Sequence, residues 1–230
     1  MLETFKKFFP VDVNVYSEDI KDSLQIDNRV SKFLDDLGQS RARGFAYKAY
    51  SIIDAFSKDC DKLVFIDADI ICFRTLSKDF LDTLNADELV TYIGVTHDKF
   101  GSHSDSCFFI INKNHKFYNE FVKEYIRVYE ERLILDNKIF VKPNDSYVLA
   151  HCIRYAEDHG HTCRDLHPER KSLSPIYETI LGTYMRHFKA SRKVNESIFK
   201  HIDKAIEGIR KGKSVEKVLE RFDRRVRQEK

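Results

Sequence analysis

Asp67 and Asp69 stand one residue apart at the end of the apolar run Leu63-Val64-Phe65-Ile66. Such a run suits a strand buried on both faces of a sheet, and side chains alternate along a strand, so both carboxylates are expected to point the same way. Two carboxylates held side by side repel each other unless something positive joins them, and a hard divalent cation with oxygen ligands is the usual partner. Capping the next segment would need only one polar residue. The pair therefore predicts metal-assisted chemistry at the end of a buried strand.

The elements needed to position that strand follow from periodicity. Phe45, Ala49, Ile52, Ile53 and Phe56 share one stripe of a helix expected over 45–57, with Lys48 off the stripe. After the carboxylate strand come a short helix near 76–84, a strand at 88–95 and a polar loop over 96–106. A second apolar run, 107–111, ends at Asn112, and a helix is expected over 116–133 from the spacing of Phe117, Phe121, Tyr125, Val128 and Tyr129. A further helix over 145–158 should stop at Gly160, ahead of a strand near 162–166. Upstream, 1–9 reads as a helix closed by Pro10, 11–16 as a strand, and 28–40 as a helix. Alternating strands and helices predict an α/β sandwich with a mostly parallel sheet, whose ligands gather beyond the C-terminal strand ends.

The chain of 230 residues is 42% hydrophobic and carries a net charge of +2. Residues 189–230 hold 14 Lys or Arg against 7 Asp or Glu, which leaves −5 on the first 188 residues. An acidic body with a basic tail excludes a dedicated nucleic-acid binder, whose body would be basic. No apolar run approaches the roughly 18 residues of a membrane span, and no secretory leader is visible. Five cysteines without a C-x-x-C pair point to a reduced, cytoplasmic setting. In the tail, Ile198, Ile202, Ala205, Ile206 and Ile209 form one stripe and Val215, Val218, Leu219, Phe222 and Val226 another, separated by Lys211-Gly212-Lys213-Ser214. Two amphipathic helices in a hairpin are expected over 194–230, offering a surface for the core, a second copy of the chain or an anionic membrane.

A buried strand ending in Asp-x-Asp, preceded by the helix Arg43-Gly44-Phe45-Ala46-Tyr47-Lys48, resembles nucleotide-sugar-dependent glycosyltransferases of the GT-A fold. Ser104-Asp105-Ser106-Cys107-Phe108-Phe109-Ile110-Ile111-Asn112 is similar to the acidic loop and strand that in those enzymes often read E-T-G-F-x-x-x-N, with Asp105 for Glu and Cys107 for Gly. Asn144-Asp145-Ser146-Tyr147-Val148 resembles their W-x-D-S-x-V segment, and His187-Phe188-Lys189-Ala190-Ser191-Arg192-Lys193 their H-F-K-G-x-x-K element, with Ala190 for Gly. The likeness covers residues 1–193. It begins in the helix that follows the family's first, base-holding strand, so that strand has no counterpart in the reading.

The resemblance implies a three-layer α/β/α sandwich that moves a sugar from a nucleotide-diphosphate sugar, for example a UDP-hexose, onto a carbohydrate or other hydroxyl acceptor. It implies Mn²⁺ or Mg²⁺ held by Asp67, Asp69 and His187, with Arg43, Lys48, Asp67, Ala68, Lys189 and Lys193 contacting the donor. Asp145 and Asp105 are the carboxylates it puts near the acceptor, although Asp145 also suits a helix N-cap and Asp105 a turn. The competing function is a degenerate, catalytically impaired binding or assembly module. A phosphohydrolase of the D-x-D-x-T type is disfavoured by Ile71 at the fifth position. His151, Cys152, His159, His161, Cys163 and His167 crowd together but match no common zinc spacing, so helix and strand packing accounts for them better.

Overall fold

The computed structural model describes residues 41–67, 70–97, 101–168, 176 and 179–187, with isolated positions 211, 214 and 217. The helices expected over 1–9 and 28–40, the strand over 11–16 and nearly all of the tail hairpin lie outside the described residues. In chain order the elements are α1 (Arg41–Phe56), β1 (Lys62–Ile66), β2 (Ile70–Cys72), α2 (Lys78–Leu84), β3 (Val90–His97), β4 (Gly101–Asn112), α3 (Tyr118–Glu130), α4 (Asp145–Asp158), β5 (Cys163–Asp165) and β6 (Met185–His187). Short 3₁₀ turns at Leu133–Leu135 and Ile180–Thr183 complete the set.

The fold is α/β, and the described residues form four α-helices and a four-stranded sheet in the order β1-β4-β3-β5. The sheet is mixed rather than mostly parallel. β3 pairs with β5 in parallel, whereas β4 runs antiparallel to both β1 and β3. Strands β1, β3 and β5 therefore share one direction, and the reversed β4 lies between two of them. The polar segment expected as a loop over 96–106 is instead the end of β3 and the first half of β4. Its Ser104, Asp105 and Ser106 are buried at 1%, 3% and 5% exposure. Hydropathy alternation fails for a strand whose buried positions are polar. β2 and β6 form a separate antiparallel ribbon with Ile70 opposite His187.

Alternation along the strands divides the core in two. Leu63 and Phe65 of β1 pack with Phe109 and Ile111 of β4 against α1, α3 and α4. Val64 and Ile66 pack with Phe108 and Ile110 against α2, Ile70, Leu181 and Met185. The cross-strand pair Phe65–Phe109 is stacked at 5.0 Å between ring centroids, a contact worth about 0.5–1 kcal/mol beyond its area. The residues of β1 are half-buried rather than fully buried, since β4 is the strand that pairs with it among the described residues. On α1 the buried stripe is Ala46, Ala49, Tyr50, Ile52 and Phe56, which keeps Ala49, Ile52 and Phe56 of the expected set, while Phe45 is 37% exposed. The stripe thus differs from the expected one at its N-terminal half, where Ala46 and Tyr50, four residues apart on one face, are buried in place of Phe45.

Local signals fix the helix ends. Ser77 caps α2 through Phe80 N–H, at 3.1 Å. Asn144 caps α4 by accepting from Tyr147 N–H at 3.1 Å. Asp145 is therefore the first residue inside α4 and not its cap. Gly160, at φ +77°, ends α4. Its N–H bonds to Glu157 O and that of His161 to Ala156 O, the paired closure of a Schellman motif.

Glu124 joins α3 to α4. Its carboxylate receives two bonds from Arg127, both 2.8 Å, and one contact of 2.7 Å from His151 Nε2. Hydrogen bonding by Arg127, against the opposing effect of burial, holds the carboxyl below its ordinary 4.5. A depressed folded value means that this stability is present above pH 4.5 and is lost as pH falls through the folded pKa. Replacing Glu124 with Gln should lower the urea midpoint at pH 7, and the gap from wild type should narrow below pH 4.5. A gap independent of pH would contradict this role.

Candidate functional site

The C-terminal end of β1 is where four sequence-distant segments meet. Lys48, on α1, reaches over the Phe65 ring, 4.9 Å from its centroid, and its Nζ lies 2.7 Å from Asp67 Oδ1 and 2.7 Å from Asp145 Oδ2. The same ammonium lies 3.0 Å from both Ser106 O and Ser106 Oγ. Three N–H donors thus face four oxygens. Ser106 Oγ in turn donates to Asp145 Oδ2 at 2.6 Å and lies 3.0 Å from Ser146 Oγ, while Ser104 Oγ donates to Ser146 O at 2.9 Å. The side chains of Lys48, Asp67 and Asp145 are 17%, 16% and 4% exposed. Burial works to lower the Lys48 pKa, but Asp145 and then Asp67 outweigh it and raise the ammonium above its ordinary value.

The backbone of β4 explains how one strand serves two sides. Tyr92 pairs with Phe109 and the next residue, Ile93, pairs with Asp105, so Ser106, Cys107 and Phe108 form a bulge opposite β3. Bulges re-aim side chains at a strand's functional end. Ser104 and Ser106 turn toward the start of α4, whereas Asp105 and Cys107 turn away toward β6. Asp105 and Asp145, both expected near an acceptor, are therefore approached from opposite faces of β4. Cys107 N–H donates to Asp105 Oδ1 at 3.0 Å, and Cys107 O accepts from Asp67 N–H at 2.9 Å.

On that second face stands His187. The β2–β6 ladder sets it opposite Ile70, whose own N–H donates to Asp67 O at 3.1 Å. The β6 backbone at His187 thus runs beside the start of β2, three residues after Asp67. One ligand atom each of Asp105, Cys107 and His187 lies within 4.8 Å of the others. Ala68, Asp69, Lys189 and Lys193 lie outside the described residues, as does the side chain of Arg43, whose backbone belongs to the first turn of α1.

Two expectations meet this geometry. Lys48 lies off the apolar stripe as expected, and its ammonium meets two carboxylates of the chain. Asp145, expected near an acceptor, lies 2.7 Å from the Lys48 ammonium. Ser106, Ser146 and Cys107 escaped the reading as working residues, although Ser102, Ser104 and Ser106 repeat at the two-residue period of a strand face. The crowded histidines have other engagements: His159 Nδ1 meets Tyr155 O at 2.7 Å, His161 stacks on Phe117 at 4.2 Å, and His167 Nδ1 meets Gly94 O at 2.9 Å. All five cysteines are free thiols. Among the described residues no helix is long and apolar enough to cross a membrane.

No model of a known protein family matches the chain, and no curated protein matches its sequence.

Proposed function

We propose that the chain is a metal-dependent glycosyltransferase of the GT-A type, a three-layer α/β/α sandwich that transfers a sugar from a nucleotide-diphosphate sugar to a hydroxyl acceptor. The observation that carries this reading is convergence. Lys48, Asp67, Ser106 and Asp145 come from separate segments whose sequences resemble that family, and they gather at one end of β1, with β6 and His187 paired to the segment that follows.

The donor set fits the cation such a reaction needs. Asp67, Asp69 and His187 offer two carboxylates and an imidazole, a mixture that suits Mn²⁺ better than oxygen-preferring Mg²⁺. The fit is supported by His187 lying across from Ile70, next to Asp69 in the chain. A bound Mn²⁺ would supply neutralisation of the charge that builds on the leaving diphosphate. The protein's own part is positional. Asp145 and Ser106 anchor Lys48, and Lys48 fixes Asp67 and adds a positive charge beside the strand end. Lys189 and Lys193 would add positive charge toward the diphosphate oxygens. The basic faces of the tail, 194–230, would first of all be solvated, with a second copy of the chain or an anionic membrane as the other surfaces they could meet.

One observation favours a second reading, a degenerate sugar-nucleotide-binding or assembly module without turnover: Lys48, 2.7 Å from Asp67, supplies a positive partner for that carboxylate from the chain itself. Incubation with a panel of nucleotide-diphosphate sugars and Mn²⁺ separates the two. Metal-dependent release of nucleoside diphosphate is expected of the transferase, and binding without release would establish the module instead.

A further inference from the structure

Asp105, Cys107 and His187 form a constellation that the transfer chemistry leaves largely unused. They are buried, at 3%, 0% and 7% exposure. A carboxylate oxygen, a Sγ and an imidazole nitrogen lie within 4.8 Å of one another, and among the described residues no other group of three such donors is as close. The bulge in β4 aims Asp105 and Cys107, two residues apart, to one face, and β6 brings His187 to meet them. The bond from Cys107 N–H to Asp105 Oδ1, 3.0 Å, fixes the carboxylate in the cluster.

The donor types select the metal. A thiolate is foreign to Mg²⁺, Ca²⁺ and Mn²⁺ sites, whereas Cys, His and Asp together are the ordinary vocabulary of Zn²⁺. Zinc bond lengths put tetrahedral ligand atoms about 3.4–3.6 Å apart. The cluster reaches that spacing by a contraction of about 1 Å, within the reach of side-chain rotation. Three protein ligands leave the fourth position open, as in zinc sites that receive a water or a substrate.

We infer that Asp105, Cys107 and His187 form a buried Zn²⁺ site with one open coordination position. It takes the His187 imidazole that the proposed Mn²⁺ site would also use, so the two cations compete for that ligand, while the Zn²⁺ site itself does not depend on sugar transfer. The Cys107 thiol gives its proton to solvent as the sulfur–zinc bond forms, so affinity rises with pH.

The test uses the full chain stripped of metal and titrated with Co²⁺ as a coloured substitute. One equivalent of Co²⁺ should produce a near-ultraviolet thiolate-to-cobalt charge-transfer band, and Zn²⁺ should bleach it. Cys107→Ser should abolish the band and weaken Zn²⁺ binding by at least about 100-fold, beyond the loss typical of an outer partner. Cys60→Ser, at an exposed thiol, should keep both. Absence of the band in folded wild type overturns the inference, as does a band that survives Cys107→Ser. If Cys107→Ser fails to fold, His187→Gln takes its place: it should keep the charge-transfer band and shift the visible cobalt bands, and unchanged visible bands overturn the site. Nucleotide binding with Mn²⁺, measured on the same preparations, reports separately on the transferase reading.

Discussion

Lys48→Met should lower the stability of the protein by about 3–5 kcal/mol, the cost of leaving buried carboxylates without their cation. Methionine keeps the length and apolar stem of lysine against Phe65, so the substitution removes the ammonium and little packing. Asp145, 4% exposed, and Asp67, 16% exposed, would then face each other's charge with the ammonium between them gone. A domain of ordinary stability holds about 5–15 kcal/mol in total, so the loss is a large share. Urea unfolding of Lys48→Met measures it. Adding Asp145→Asn should restore a good part, because it removes the less exposed of the two stranded charges. Two losses that simply add would mean that Lys48 and Asp145 do not act as a pair.

Asp67→Asn should do the opposite: little to stability and much to activity. Lys48 keeps Asp145 and both Ser106 oxygens, and the change also removes the surplus negative charge of the three-membered cluster. A partly exposed pair of this kind contributes little, and the unfolding midpoint should correspond to a change within about 1 kcal/mol. Turnover of a nucleotide-diphosphate sugar should fall by about 10²–10³-fold, the scale for removing one electrostatic contact to a developing charge. Activity within a factor of about 2 of wild type, on that same scale, would remove Asp67 from the metal set. A collapse of folding would instead make Asp67 a structural partner of Lys48.

The contrast between these two variants shows what the sequence carried and where it ran short. The strand ending in Asp67, the helix opening at Asp145 and the stop at Gly160 were legible because apolar periodicity, an Asn-Asp start and a glycine are local signals. The demand of Asp67 for a positive partner was legible too, but its partner was not. A lysine seven residues C-terminal to the start of α1 looks like any solvated helix residue until the fold brings Asp145 beside it. The first half of β4 was hidden for a related reason: Ser104, Asp105 and Ser106 are polar and buried, so hydropathy marks them as loop. A mostly parallel sheet is not what forms, because only three residues separate the end of β3 from the start of β4, which runs back between β1 and β3. The pairing of His187 with Ile70 spans more than a hundred residues, and only a matching of motifs pointed to it.

The measurement closest to the central claim is calorimetric titration of the full chain with a panel of nucleoside diphosphates, with and without Mn²⁺. If Asp67, Asp69 and His187 grip a cation that holds the pyrophosphate, at least one nucleoside diphosphate should bind at least about tenfold more tightly when the metal is present. Equal affinity in the two conditions, or no binding by folded protein in either, would contradict the account.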